Sequence, residues 1–310
     1  VTKVSGGKAW SRSSQVTLGV LDVTNPNNLP ALESILTGLV NSSDDFDVSN
    51  GKFYVGKQDR LKIYTANPSN PVLQSEVTAQ QLGVGSIVNI EVVGNWVYVA
   101  TAVPNKIIAV DATSATNPII RNSVTSSLAI IHLDAASNDA LAFGTSYAGS
   151  PVVIIDIRDK ANPSLVGQTS NTLSFNRDNG AANENKVGGI IFEATGNRKV
   201  YYFDIIVPSN AQNPITIGQV NIRDIPGYQD TINYKVIGIE KERFYLKREV
   251  LSDIKLIKFS VLDPNDFYVY EVADVSSTNL WLVDNDGSVG PQEPFILGSK
   301  NTFGFNSYSK

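Results

Sequence analysis

The chain has 310 residues, 42% of them hydrophobic and 18% charged, which describes an ordered globular protein somewhat poor in charge. A formal net charge of −5 and a pI near 5.0 argue against nucleic acid or an anionic membrane surface as partner, because both recruit clustered Lys and Arg. The absence of cysteine excludes disulfides, thiolate metal sites and cysteine nucleophiles, and no apolar run approaches the ~18–20 residues of a membrane helix.

Methionine is also absent, even at position 1, so Val1 is read as a processed end or as the start of part of a longer chain that has lost a leader. Abundant Asn, Ser and Thr beside sparse Lys and Glu favour an extracellular, cell-surface or virion-surface location. One glycosylation sequon occurs, at Asn41-Ser42-Ser43.

In chain order the first signal is Lys3-Val-Ser-Gly-Gly-Lys-Ala-Trp10, which lies under Asp47-Val-Ser-Asn-Gly-Lys-Phe-Tyr54 and again under Val93-Gly-Asn-Trp-Val-Tyr98. Each joins two strands through a Gly- or Asn-Gly hairpin, and the second strand alternates aromatic and β-branched residues. A second signal follows each of these: an apolar strand ending in Asp, an Asn-Pro turn, and another apolar strand. Its copies begin at Val20-Leu-Asp22, Ile63-Tyr-Thr65, Ala109-Val-Asp111, Ile155-Asp156 and Asp204, with a weaker one at Ser260-Val-Leu-Asp263. Pro fixes φ and lacks an N–H, and the residue before it is driven extended, so each Asn-Pro must reverse the chain.

The prolines before the last strand of each copy, Pro30, Pro71, Pro118, Pro163 and Pro214, are spaced by 41, 47, 45 and 51 residues. That is the period of a propeller blade. The sequence therefore predicts an all-β fold, a β-propeller of four-stranded antiparallel blades forming a single domain over residues 1–310. Blades are expected at about 1–38, 45–79, 87–126, 128–170, 172–222, 231–274 and 275–310. The last is degenerate, so six blades with a C-terminal extension is the alternative to seven. Within one unit the strands are placed at Ile87–Val93, Trp96–Thr101, Lys106–Ala112 and Pro118–Thr125. Val20, Ile63, Val110, Ile155 and Phe203 are expected in the core, and no segment has a helix period.

The units resemble the LVIVD repeat, a propeller repeat of bacterial and archaeal surface proteins, in Val152-Val-Ile-Ile-Asp-Ile157 and in Asn67-Pro-Ser-Asn-Pro71 followed by Val72 and Leu73. The likeness covers residues 15 to 225 well and the last third poorly. It implies a fold and a non-catalytic, surface-exposed role. Several copies lack the Asp-Val-Ser of that pattern, and the sixth has no second proline.

Chemistry is sparse. The single histidine, His132, lies two residues before Asp134 on an expected innermost strand, where a satisfied strand residue is favoured over a base. Asp22, Asp111, Asp134, Asp156 and Asp204 are the carboxylates to consider for a hydrolase or lyase. Four of them recur at one place in the repeat, which points to Asx-type turn bonding instead. Asp284, Asp286 and Ser288 open like a calcium loop, with a plain Asp-Gly turn as the competing reading. Ser43-Asp-Asp-Phe-Asp47, at an expected strand start, reads as a solvated connection, with calcium as the lesser alternative.

The polar stretch from Asn171 to Lys186 is the longest insertion and supplies the candidate binding residues Asn176, Arg177, Asp178 and Asn183. The expectation is a non-enzymatic binding module without a cofactor, calcium aside, that recognises protein or glycan at a cell or virion surface. The alternative is a structural subunit of a larger assembly.

Overall fold

The computed structural model describes residues 2–12, 17–22, 24, 31–40, 44–137, 139–144, 150–173, 180–183, 185–192, 198–204, 212–224, 233–240, 243–250, 253–260, 267–271, 279–282, 296–300 and 304–308. Their strands form seven antiparallel sheets, each a meander taken in chain order. The first holds β1 (Thr2–Ser5), β2 (Lys8–Arg12), β3 (Thr17–Asp22) and β4 (Ala31–Thr37); the second β5 (Asp45–Ser49), β6 (Lys52–Lys57), β7 (Arg60–Thr65) and β8 (Leu73–Thr78). The third holds β9 (Ser86–Val93), β10 (Trp96–Ala102), β11 (Lys106–Asp111) and β12 (Ile119–Thr125). The fourth holds β13 (His132–Ala135), β14 (Ala140–Gly144), β15 (Ser150–Asp156) and β16 (Ser164–Leu173); the fifth β17 (Gly180–Asn183), β18 (Lys186–Phe192), β19 (Arg198–Asp204) and β20 (Ile215–Asn221). The sixth holds β21 (Asn233–Glu240), β22 (Arg243–Val250), β23 (Asp253–Ser260) and β24 (Phe267–Glu271), and the last only β25 (Asn279–Leu282), β26 (Ile296–Lys300) and β27 (Gly304–Tyr308).

Among the described residues the last sheet has three strands and each of the others four. The chain divides into two compact units, Val1–Asn122 with Ser277–Lys310, and Ser123–Ser276.

Hairpin chemistry sets the registers. Asn50 and Gly51 join β5 to β6 with φ of 50° and 72°, left-handed values that Asn tolerates and Gly adopts without strain, and Ser49 pairs with Lys52 across them. Within the first unit β1 lies beside β5 and β5 beside β9; within the second β13 lies beside β17 and β17 beside β21. Within each unit the first strand of one of these sheets thus meets the first strand of the next.

Both faces of the second sheet are covered, which is why its strands read as nearly continuous apolar runs. Phe53 and Val55 on β6 pack toward the first sheet with Trp10, Leu18 and Val20, whereas Tyr54 and Ile63 pack toward the third with Ile90, Val97 and Val99. The approach is close at Gly56, where a Cβ would meet the Ile90 methyl at 2.6 Å. In the second unit Ala140, Ala142 and Ile154 meet Ala182, Val187 and Phe203. Val20, Ile63, Val110, Ile155 and Phe203 are all fully buried, as the repeat required.

Four outermost strands share an irregularity that the sequence did not announce. The ladder slips by one residue between Leu32 and Ser34, Leu73 and Ser75, Leu165 and Gly167, and Thr216 and Gly218. Each is a bulge near the start of its strand, which bends it there. After the bulge the Ser34 hydroxyl donates to the Pro68 carbonyl of the next sheet's turn. The Ser75 hydroxyl likewise donates to the Ala115 carbonyl at 2.6 Å.

One short helix, α1 (Ala79–Leu82), was not anticipated, because four residues carry no period. It is set by a capping box in which the Thr78 hydroxyl accepts from the Gln81 N–H, the Gln81 side chain accepts from the Thr78 N–H, and Gly83 closes the other end at φ 67°.

Candidate functional site

Among the described residues, a set of buried polar groups lies on the first strands of the first unit. Asp44, Asp45 and Asp47 are 4%, 5% and 6% exposed, which corrects the expectation of a solvated connection at Ser43–Asp47. The neighbouring strands bury them: Asp45 Oδ2 accepts from the Asn89 side chain at 2.6 Å and from the Ile90 N–H at 3.0 Å. Asp47 accepts from its neighbour Val48 N–H at 2.7 Å and from the Val92 N–H on β9 at 2.9 Å.

Burial pushes the Asp47 carboxyl above the usual carboxylate range, against the pull of Lys3 and of those two N–H donors. Burial likewise raises the Tyr54 hydroxyl, directly across the ladder from Asp47, with the nearby carboxylate adding to the effect. Lys3 reaches Glu91 at 3.1 Å and Asp47 at 3.6 Å, and Lys57 lies 3.5 Å from Asp44. In the second unit Asp134 accepts the Ala182 N–H at 2.8 Å.

These carboxylates hold adjacent first strands together through backbone donors and one ammonium. Nothing in the sequence window around Asp47 signals this, because Lys3 and Val92, its partners on the neighbouring first strands, lie some forty residues away along the chain in either direction. The periodicity would have exposed it: Asp47, Glu91 and Asp134 occupy one ladder position of the repeat, opposite the third residue of the following strand.

The turn carboxylates behave as anticipated. Asp22, Asp111 and Asp156, each at the end of the third strand of its sheet, accept the N–H two residues on, from Thr24 at 2.9 Å, Thr113 at 3.1 Å and Arg158 at 2.8 Å. Bonds from the Thr24 hydroxyl and N–H and from Lys8 depress the Asp22 carboxyl; the Thr113 contact does the same for Asp111. Asn67 serves the corresponding turn of the second sheet, accepting from Ser69 at 3.0 Å and Asn70 at 3.3 Å. Lys52 reaches across to the third sheet, donating to the Ala112 and Thr113 carbonyls at 2.6 and 3.1 Å. In these side-chain-to-backbone ties between sheets, the side chain belongs to the earlier sheet and the backbone group to the later one.

His132 opens β13, partly buried, opposite Gly144. Asp204 ends β19 opposite Lys186, and Asn183 ends β17, also opposite Lys186 across the preceding hairpin. The expected insertion from Asn171 to Lys186 is strand at both ends, since β16 continues to Leu173 and β17 begins at Gly180. Asn176, Arg177 and Asp178 lie outside the described residues, as do Asp284, Asp286 and Ser288. Among the described residues no group of three or more His, Cys, Asp or Glu is placed to hold a metal ion, and no helix is long and apolar enough to cross a membrane.

The fold has known counterparts. Sqt1 of Saccharomyces cerevisiae superimposes with a TM-score of 0.55 at 8% identity, over 99% of this chain and 94% of its own. YCF48, solved bound to D1 peptide, does so with a TM-score of 0.56 at 13% identity, over 97% of this chain and 90% of its own. Both are β-propellers, and this chain is one as well. No family model and no curated protein matches the sequence.

Proposed function

We propose that this propeller is a non-enzymatic binding module of a cell or virion surface, built of LVIVD-type repeats as a single domain over 1–310, that recognises protein or glycan through the loops of one face. The observation that supports this most is what its recurrent carboxylates are engaged in. Asp22, Asp111 and Asp156 hold their own turns, while Asp45, Asp47 and Asp134 hold the next sheet's backbone. Residues occupied in fastening a repeated scaffold leave recognition to the segments that differ between repeats.

Of these, the stretch from Asn171 to Lys186 is assigned the contact role, with Asn176, Arg177, Asp178 and Asn183 as its polar groups. That a protein of the same fold, YCF48, was solved with a peptide bound is in keeping with a protein partner. The proposal includes no cofactor other than a calcium ion at Asp284, Asp286 and Ser288.

A second reading, a structural subunit of a larger assembly, draws on the outermost strands. Ile35, Leu73, Ile119, Ile120, Leu165 and Ile215 are 37–54% exposed there, and β12 is exposed at six of its seven residues. Native mass spectrometry of protein extracted gently from its source separates the two. A stoichiometric partner or a homopolymer supports assembly. A clean monomer directs the work to glycan arrays and peptide capture, where an Arg177→Ala/Asp178→Ala variant is expected to lose the signal. Capture that is indifferent to that variant would remove the assigned loop from the proposal.

A further inference from the structure

Three charged side chains occupy one ladder position on three successive first strands. Lys3 stands opposite Trp10, Asp47 opposite Tyr54 and Glu91 opposite Tyr98, and in each pair the partner is the third residue of the second strand. The Lys3 ammonium lies 3.1 Å from Glu91 and 3.6 Å from Asp47, whose side chains are 9% and 8% exposed. Lys3 itself is 26% exposed, so water and protons reach the pair from its side.

The strands joined in this way are held unequally. β5 and β9 are also tied by Asp45 to Asn89 and Ile90, and by Asp47 to Val92. β1 is four residues long and, among the described residues, has a ladder with β2 alone. We propose that Lys3 is a charge-gated clasp: its ammonium holds β1 against β5 and β9 while Asp47 and Glu91 are ionised, and protonating them frees β1 without parting the other two strands.

The direction follows from linkage. With β1 away, Asp47 and Glu91 lose their cation and hold protons more tightly than with β1 in place. Docking of β1 therefore releases protons, so it is strong at high pH and weakens as pH falls. The titratable groups facing the clasp are Lys3 from β1, Asp45 from β5, Tyr54 from β6 and Glu91 from β9. Burial and Asp45 both push Asp47 upward, which places its part of the loosening above the ordinary carboxylate value of 3.8.

Hydrogen exchange on the full chain tests this, reading the amides of residues 2–5 at about pH 7 and about pH 4.5, corrected for intrinsic rates, with β6 as internal control. In the native protein the corrected exchange of β1 is expected to rise roughly tenfold or more on acidification, while β6 holds. Lys3→Met should exchange fast at both pH values, and Lys3→Arg should restore both the protection and its pH dependence. Glu91→Gln, which keeps the shape and removes one charge, should sit between. A β1 equally protected at both pH values, or a Lys3→Met variant as protected as the native chain near neutrality, overturns the proposal. Should Lys3→Met fail to fold, Glu91→Gln decides, and unchanged protection near neutrality in that variant overturns it as well.

Discussion

The carboxylate of Asp134 on β13 accepts the backbone N–H of Ala182 on β17 at 2.8 Å, and Asp47 on β5 accepts that of Val92 on β9 at 2.9 Å. Both donors are the penultimate residue of their strand, and both acceptors face the third residue of the strand that follows them. One contact therefore fastens first strands in each unit. Asp134→Ala leaves the Ala182 N–H without its acceptor at a residue 5% exposed, a change expected to cost ~1–3 kcal/mol in urea unfolding. Asp134→Asn, whose amide oxygen still accepts, should recover part of that loss. If the alanine and asparagine variants unfold together, the bond is not what fastens the strands.

Phe53 sits at the centre of an aromatic group, with ring centroids 5.1 Å from Trp10, 5.8 Å from Phe46 and 6.0 Å from Tyr64. Fully buried, it joins the first two sheets, and Phe53→Ala is expected to destabilise by ~3–5 kcal/mol. Ile35→Ala, at a residue 45% exposed, should change stability by only about 0.5 kcal/mol. Thermal melts of the two variants side by side check the contrast.

The acid response of the fold has two opposing parts. Asp22 and Asp111 are depressed by their threonine contacts, so their contribution is present above the unfolded carboxylate value and lost as pH falls through the folded one. Asp47 is raised by burial, so the folded state takes up its proton more readily and its contribution runs the other way. Asp22→Asn combined with Asp111→Asn should flatten the fall in melting temperature on acidification, whereas Asp47→Asn should steepen it. A melting temperature whose slope with pH is the same in all three proteins would contradict these assignments.

What the sequence revealed and what it hid divide along one physical line. The Asn-Pro reversals, the Asn50-Gly51 hairpin and the apolar alternation of Phe53, Tyr54 and Val55 are local, so strand order and repeat length could be read from short windows. The Asp-to-N–H turn bonds of Asp22, Asp111 and Asp156 were legible for the same reason. Asp45 and Asp47 were misread because their partners stand on β1 and β9, which only the folded chain brings close. The bulges at Glu33 and Gln74 left no signal either: each is one extra residue in a strand, and a propensity pattern does not register which residue lacks a partner. Thr78-Ala-Gln-Gln81 did carry a capping-box signature, but a four-residue helix has no period to draw attention to it.

Those bulges make a further prediction. By shifting the ladder they aim Ser34 and Ser75 at the carbonyls of Pro68 and Ala115. Ser75→Ala should cost ~0.5–1.5 kcal/mol and speed exchange in the turn after Asp111, while Gln74→Ala, at the bulged residue itself, should be nearly silent. Equal effects from both substitutions would mean that the bulge, rather than the hydroxyl bond, holds the turn.

The side-chain-to-backbone ties between sheets share a sense, with side chains from the earlier sheet meeting the backbone of the later one. A ribosome delivers the chain in that same order. When β9 emerges, the carboxylates of Asp45 and Asp47 are already in place to receive Ile90 and Val92; when β17 emerges, Asp134 is waiting for Ala182. These repeats are in this sense templates for the ones synthesised after them, and the half-made protein is prepared for what comes next rather than stranded by what is missing.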